Sequence, residues 1–227
     1  MAEIVLALDL ASRRDALAFL DRVPALRWVK VGPVLMTGAG TELIRELRGR
    51  GLEVFLDLKW HDIPNTVRGA VAAAGGLGVA MATVHTLGGP GMLRAAAEES
   101  GRVAVIGVTV LTSHEEAEYA AIVGRPSVKL LDETSRLARM AISAGLAGVV
   151  CSPLEIERVR SGIGPEPLVV VPGIRGPRDT AGDQHRTATP AEAIRAGATH
   201  LVVGRPILTA PDPAAALDEL LEEAARG

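Results

Sequence analysis

Eight short apolar runs recur along this chain, and they limit the folds it can adopt more than any other feature. Most are rich in valine, leucine and isoleucine, without the alternation of apolar and polar residues typical of a half-exposed strand. Strands of a parallel sheet that is buried on both faces have this composition. The runs are IVLALD (4–9), WVKVG (28–32), LEVFLDLK (52–59), VAMATVH (79–85), VAVIGVTV (103–110), AGVVCS (147–152), LVVVPGI (168–174) and HLVVG (200–204).

Helical patterns fill the intervals between these runs. Ser12 is a predicted N-cap for the first helix, Asp212 for the last, and Thr189 for a helix that stops at Gly197. Eight strands alternating with about eight helices predict a (β/α)8 TIM barrel, and an open doubly wound sheet is the alternative. Because no repeat or linker interrupts the pattern, residues 1–227 are expected to form a single domain.

The composition argues against several classes of protein. A net charge of −3 and an aromatic content of 2% provide neither the basic surface nor the stacking platforms of a nucleic-acid-binding protein. No apolar run approaches the roughly 20 residues that cross a bilayer, so no membrane partner is expected. The single cysteine, Cys151, excludes an internal disulfide and an all-cysteine metal site. A cytoplasmic enzyme is the expected class.

Polar residues occur at the ends of the predicted strands. In a TIM barrel the chemistry lies at the C-terminal ends of the strands, so these residues are expected to converge on one mouth. They are Asp9 after the first run, Lys30 near the end of the second, Asp57 and Lys59 in the third, His85 in the fourth, Thr112 after the fifth, Arg175 after the seventh, and Gly204 with Arg205 after the eighth.

The segment FLDLKWHDIPNTV (55–67) carries the most specific of these patterns. Residues i and i+2 of a strand face the same side, so Asp57 and Lys59 are expected to point together into the mouth. Asp62 either caps the helix that begins near Pro64 or supplies a second carboxylate beside Lys59. An ammonium between two carboxylates stays protonated and is a proton donor to a strongly basic carbon. Two Asp side chains also suit Mg²⁺, but the lysine between them argues against a cation.

Lysine itself is rare in this chain, which favours a chemical role for the lysines at strand ends. It occurs only at positions 30, 59 and 129, although the chain has 24 basic residues. Arginine cannot give up a proton near neutral pH, so a retained lysine indicates that a compact ammonium with a transferable proton is needed. Chance survival of a few lysines is the alternative.

Two segments near the C-terminus indicate a phosphate site. The long polar segment VPGIRGPRDTAGDQHRTATP (171–190) follows the seventh run and includes Arg175 and Gln184, and VVGRPI (202–207) includes Gly204 and Arg205. Loops after the seventh and eighth strands of TIM barrels often bind phosphate, and arginine binds it through paired hydrogen bonds. A loop of this length usually has a function, such as a lid.

These segments together resemble the orotidine 5′-phosphate decarboxylase family of the bacterial type. The resemblance rests on LALD at 6–9, VKVG at 29–32, FLDLKWHDIPNTV at 55–67, HTLGG at 85–89, VTVLTS at 108–113, VPGIR at 171–175, GDQHR at 182–186 and VVGRPI at 202–207, in the family's order. It implies a homodimeric barrel that converts orotidine 5′-monophosphate to uridine 5′-monophosphate, the last step of de novo pyrimidine synthesis, without a metal or cofactor.

The resemblance also implies roles for individual residues. Lys59 is the implied proton donor within an array of Lys30, Asp57, Lys59 and Asp62. The implied substrate contacts are Asp9 and Lys30 to the ribose, Thr112 to the pyrimidine, Gln184 between base and phosphate, and Arg175, Gly204 and Arg205 at the phosphate. Asp62 and Thr66 are expected to reach into the neighbouring subunit's site.

Two alternative functions stay open from the sequence. A sister decarboxylase that acts on a sugar phosphate such as 3-keto-gulonate 6-phosphate shares a D-x-K-x-x-D motif and uses Mg²⁺, but has an acidic residue where this chain has Lys30. A non-catalytic barrel that binds a nucleotide is the second alternative. Such a protein has no need of Asp57 and Lys59, which this chain retains.

Overall fold

Eight parallel strands close into a barrel in which each strand pairs with the next and β8 pairs with β1. The computed structural model describes residues 2–175 and 187–227. The prediction of a (β/α)8 barrel is confirmed, and the open doubly wound sheet is excluded. The strands are β1 (Glu3–Ala7), β2 (Trp28–Val31), β3 (Glu53–Trp60), β4 (Met81–His85), β5 (Ala104–Val108), β6 (Gly148–Val150), β7 (Leu168–Val171) and β8 (His200–Val203).

Helices alternate with the strands and cover the outside of the barrel. The described part of the chain contains α1 (Arg13–Leu20), α2 (Pro33–Gly49), α3 (Pro64–Gly76), α4 (Gly89–Glu98), α5 (Glu116–Ile122), α6 (Leu130–Ser143), α7 (Ile156–Ile163), α8 (Pro190–Arg195), α9 (Arg205–Leu208) and α10 (Pro213–Ala224). Short 3₁₀ turns at Thr86–Gly88 and Pro153–Glu155 follow β4 and β6. None of the helices in this described part is long and apolar enough to span a bilayer.

The predicted N-caps begin three of these helices. The hydroxyl of Ser12 accepts a hydrogen bond from the third residue of α1 at 3.1 Å, and Asp212 accepts two backbone bonds of the same length at the start of α10. Thr189 and Glu192 form a reciprocal capping box on α8. That helix is followed by Gly197, whose φ of +109° is a backbone conformation that favours glycine.

The core has two parts. The larger lies between the strands and the helices, and the smaller fills the barrel interior with Val5, Ala7, Phe55, Met81, Ile106, Val170 and Val202. At the N-terminal ends of the strands the rings of Trp28 and His200 close the floor, edge to face, with centroids 5.1 Å apart. The interior of the described barrel is therefore packed from the floor upward, and the chemistry of such barrels lies at the C-terminal mouth.

Candidate active site

A cavity of about 480 Å³ opens at the C-terminal ends of the strands. Its lower wall is apolar and includes Phe55, Val170 and Val202 from the barrel interior. Its rim carries eight of the residues predicted from the sequence: Asp9, Lys30, Asp57, Lys59, Thr112, Arg175, Gly204 and Arg205. The prediction that polar residues from many strands converge on one mouth is therefore confirmed for these eight, whereas His85 does not line the cavity.

A linked group of charges forms one side of this cavity. The Lys59 ammonium donates a hydrogen bond to Asp57 Oδ2 at 2.8 Å, and Lys30 Nζ lies 3.6 Å from the same oxygen. Lys30 also donates to Asp9 Oδ1 at 3.3 Å. Exposure falls from the rim inward, since the Asp9 side chain is 64% exposed and that of Asp57 only 12%. The two ammonium groups offset the cost of burying the Asp57 carboxylate.

The backbone at this point is a bulge and not the regular strand that the sequence suggested. On β3, Leu56 pairs with Ala82 and Trp60 pairs with Val84, so three residues of β3 stand opposite one of β4. Within this bulge Lys59 has a φ of +50°, and it is the only described non-glycine residue with positive φ. The prediction that Asp57 and Lys59 point together into the mouth is confirmed, although the strand that carries them is bulged and not regular. The bulge therefore sets the direction of Lys59.

Thr83 completes the group and was missed by the sequence reasoning. It is fully buried on β4, opposite the bulge. Its hydroxyl accepts a hydrogen bond from the Lys59 backbone N–H at 2.8 Å and donates one to Asp57 Oδ1 at 2.9 Å. A threonine within an apolar run is typical of a strand interior, so the sequence carried no signal for this contact.

Asp62 and Thr66 lie outside the cavity of this single chain. Both are exposed: Asp62 lies just before α3, and Thr66 lies in its first turn. Asp62 accepts a hydrogen bond from the adjacent Ile63 N–H at 2.6 Å, and the N-cap of α3 is Ile63 itself. The capping alternative for Asp62 is thus wrong. Among the described residues of one chain, Asp57 is the carboxylate in contact with Lys59, and Asp62 is not.

The segment expected to bind phosphate is described at its two ends. Arg175 lines the cavity, and its backbone N–H bonds to Ala188 O at 3.0 Å, which brings the two ends of the segment together. Gly204 and Arg205 meet the same cavity from the end of β8. Gln184 falls in residues 176–186, outside the described part of the chain.

Two histidines lie beside the lysine end of the site. The rings of His61 and His85 stack with centroids 5.6 Å apart and planes inclined by 15°. Burial lowers the pKa of His85 to about 4, and the positive charges of His61 and Lys59 act in the same direction. His85 is therefore a neutral neighbour of Lys59 near pH 7, and its Nδ1 accepts the Leu87 N–H at 3.3 Å.

Comparisons with known proteins agree on one family. The model of the orotidine 5′-phosphate decarboxylase / HUMPS family matches residues 2–220. The chain belongs to this family. Orotidine 5′-phosphate decarboxylase from Halorhodospira halophila is 49% identical over 229 residues, covering 98% of this chain and 95% of that protein. The same enzyme from Chromohalobacter salexigens is 47% identical over 227 residues, with the same coverage.

A solved structure extends the likeness to three dimensions. The crystal structure of orotidine 5′-phosphate decarboxylase from Lactobacillus acidophilus superimposes with a TM-score of 0.89 at 35% identity, covering 99% of each chain. The family match spans every residue of the charge group and of the cavity rim. The site is thus part of the region shared with the family and not a feature added to it.

Proposed function

We propose that this family member is a carboxy-lyase that converts orotidine 5′-monophosphate to uridine 5′-monophosphate, the last step of de novo pyrimidine nucleotide synthesis. One observation carries the proposal: in a barrel of this family, the Lys59 ammonium is held 2.8 Å from Asp57 at the cavity mouth, with Lys30 3.6 Å from the same carboxylate oxygen. This arrangement suits a reaction that creates negative charge on carbon.

Lys59 is the proposed proton donor. When carbon dioxide leaves C6 of the pyrimidine, the electron pair of the broken C–C bond stays on C6, where it has no ordinary electron sink. A fixed ammonium next to that carbon stabilises the developing charge electrostatically. A proton then passes from Lys59 Nζ to C6, and the neutral amine regains a proton from solvent. Because Asp57 holds the ammonium before substrate binds, little reorganisation is needed.

Asp57 is the proposed neighbour of the departing carboxylate. Two ammonium groups and a hydroxyl hold it, so it cannot easily turn away when a second anion approaches. Repulsion between the two carboxylates raises the free energy of the bound substrate and is relieved as carbon dioxide forms. Binding of the remote phosphate supplies the free energy that brings the two anions together.

The other rim residues are proposed to bind the rest of the nucleotide. Asp9 and Lys30 lie on one side of the cavity and are assigned to the ribose hydroxyls, and Thr112 is assigned to the pyrimidine. Arg175, Gly204 and Arg205 are assigned to the phosphate, and Gln184 to a position between base and phosphate. A cavity of about 480 Å³ is within the range of sites that enclose a small organic ligand.

The proposal includes a homodimer in the cytoplasm, with Asp62 and Thr66 contributed to the neighbouring site. Large apolar side chains are exposed beside Asp62 and after the two neighbouring strands: Ile63 is 67%, Val34 70% and Leu87 36% exposed. They follow β2, β3 and β4 and therefore lie at the mouth end of three adjacent strands. Apolar groups exposed together in this way mark a protein interface.

Lys30 argues against the magnesium-dependent alternative. An ammonium 3.6 Å from Asp57 and 3.3 Å from Asp9 occupies the place between two carboxylates where a divalent cation would bind. The sugar-phosphate decarboxylase is therefore the weaker proposal.

A spectrophotometric assay tests the function directly. Purified protein should convert orotidine 5′-monophosphate to uridine 5′-monophosphate with release of carbon dioxide, at the same rate with and without excess EDTA. Loss of the activity in EDTA would favour the magnesium-dependent alternative. Tight binding of uridine 5′-monophosphate without any turnover would favour the non-catalytic barrel.

Mixing two inactive variants tests the shared site. In an Asp62→Ala or a Lys59→Ala homodimer, each of the two sites lacks one group. If the sites are shared, a heterodimer of the two variants has one intact site and one site that lacks both groups. Mixed and re-equilibrated samples should therefore regain up to about a quarter of wild-type activity at equal amounts. No recovery, with subunit exchange verified by mass spectrometry, would contradict the contribution of Asp62 across the interface.

A further inference from the structure

We propose that Thr83 is a positioning residue for this reaction: its hydroxyl fixes both the Asp57 carboxylate and the backbone that carries Lys59. The inference rests on the proposed function and adds to it a residue that does not line the cavity. Thr83 acts only through its two neighbours, because its side chain is fully buried behind them.

The two hydrogen bonds of Thr83 have an assigned direction. The Lys59 N–H can only donate, so Thr83 Oγ1 accepts at 2.8 Å. The hydroxyl proton is then free to point at Asp57 Oδ1, 2.9 Å away, as an ionised carboxylate requires. The result is a chain from amide to hydroxyl to carboxylate in which each bond polarises the next.

The bulge makes this hydroxyl necessary. In a regular strand the Lys59 N–H would face β2, as the Glu53 N–H does when it donates to Arg27 O, but three residues of β3 stand opposite Thr83 alone, and the Lys59 N–H is turned toward β4. A bulged residue loses its ladder partner, and a buried N–H without a partner is costly. The Thr83 side chain supplies the missing acceptor and so stabilises Lys59 at its φ of +50°.

The same hydroxyl sets the orientation of the carboxylate. With Oδ1 tied to Thr83, Asp57 presents Oδ2 to the ammonium groups of Lys59 and Lys30. Without it the carboxylate can rotate about its terminal bond, and the Lys59 backbone can relax out of the bulge. Both movements shift the ammonium relative to the reacting carbon, and a misplacement of about 1 Å costs on the order of 10²-fold in rate.

Steady-state kinetics of three variants test the role. Thr83→Val keeps the shape and removes the hydroxyl, and Thr83→Ser keeps the hydroxyl. Thr86→Val is the matched control, because Thr86 is equally buried and its hydroxyl donates to the Val108 carbonyl at 2.7 Å, outside the charge group. We expect Thr83→Val to lower kcat by about 10- to 100-fold with KM changed less than about threefold. Thr83→Ser should stay within about threefold of wild type, and Thr86→Val should keep its kcat even if its Tm falls.

The rarity of lysine offers a readout that does not need turnover. With ¹³C-labelled lysine, the Hε–Cε NMR signals come from positions 30, 59 and 129 only. A lysine held in one geometry has two distinct Hε shifts, so Lys59 should show them in wild type and in Thr83→Ser. In Thr83→Val they should merge toward the shift of a mobile lysine. Lys129, whose side chain is 76% exposed, is the internal reference.

Each result decides between the proposals. Wild-type protein without orotidine 5′-monophosphate turnover overturns the proposed function, and the lysine spectra then decide alone whether Thr83 holds the group. If the wild type turns over substrate and folded Thr83→Val has the same kcat, the positioning role is overturned. A fall in kcat matched by Thr86→Val would show a structural effect only. If Thr83→Val does not fold, Thr83→Cys gives the same test, because a thiol is a weak donor and acceptor.

Discussion

His200 makes the stability of this barrel depend on acid, and the effect can be calculated from its surroundings. The ring lies in the barrel floor against Trp28, and 7% of the residue is exposed. Burial lowers its pKa from 6.5 to about 4. As the pH falls, His200 is therefore protonated near pH 6.5 in the unfolded chain but only near pH 4 in the folded protein. The resulting stability is present above pH 6.5 and is lost as the pH falls toward 4.

The size of the loss follows from the two pKa values. At about 1.4 kcal/mol for each pH unit between them, full protonation costs about 3 kcal/mol, of which about 2 kcal/mol is already lost at pH 5. His85, with its pKa also near 4, adds a loss of the same sign. Comparison of wild type with His200→Gln isolates the first contribution, because glutamine is polar but does not titrate.

Urea unfolding at pH 7.5 and pH 5, at one fixed protein concentration, measures the effect. The wild-type free energy of unfolding should fall by about 2 kcal/mol more between the two pH values than that of His200→Gln. The pH 7.5 value of each protein is its own reference, so a packing defect in the variant does not enter the difference. Equal losses in the two proteins would refute the assignment of the acid sensitivity to this ring.

Three further substitutions have expected outcomes. Lys59→Ala should remove nearly all turnover while the folded protein still binds uridine 5′-monophosphate by calorimetry; substantial remaining activity would contradict its role as proton donor. Arg205→Ala should raise KM, with a loss of about 1–3 kcal/mol for one charge-assisted contact, and an unchanged KM would count against phosphate binding. Arg160→Met should lower the free energy of unfolding by about 2–4 kcal/mol with unchanged kcat, because Arg160 donates to four backbone carbonyls, including those of Gly197 and Pro167. Unfolding curves with little change would show that solvent satisfies these carbonyls.

The fold was predictable because its signals are local. Each strand is an apolar run set apart by polar residues, and each of the caps Ser12, Thr189 and Asp212 acts within three residues of its own position. The rule that chemistry lies at the strand ends then placed eight rim residues in one cavity.

The details of the site were less predictable because they depend on contacts between strands. The bulge at Lys59 arises from the pairing of β3 with β4, and nothing in FLDLKWHDIPNTV alone indicates it. Thr83 lies 24 residues from Lys59 in the chain, within an ordinary strand sequence. Asp62 points out of a single chain, so its predicted role depends on a second copy.

The layered interior separates two properties of the molecule. The ionic groups that line the cavity lie in the uppermost layer, whereas the interior residues beneath them, from Phe55 and Met81 down to Trp28 and His200, are apolar or neutral near pH 7. Trp28 and His200 do not line the cavity, so changes at the floor alter how tightly the barrel is packed without changing the cavity wall. Substitutions at the floor can therefore change the stability of the barrel to heat and acid while the cavity at the mouth is preserved. Stability and turnover can then change nearly independently of each other, in evolution and in protein engineering.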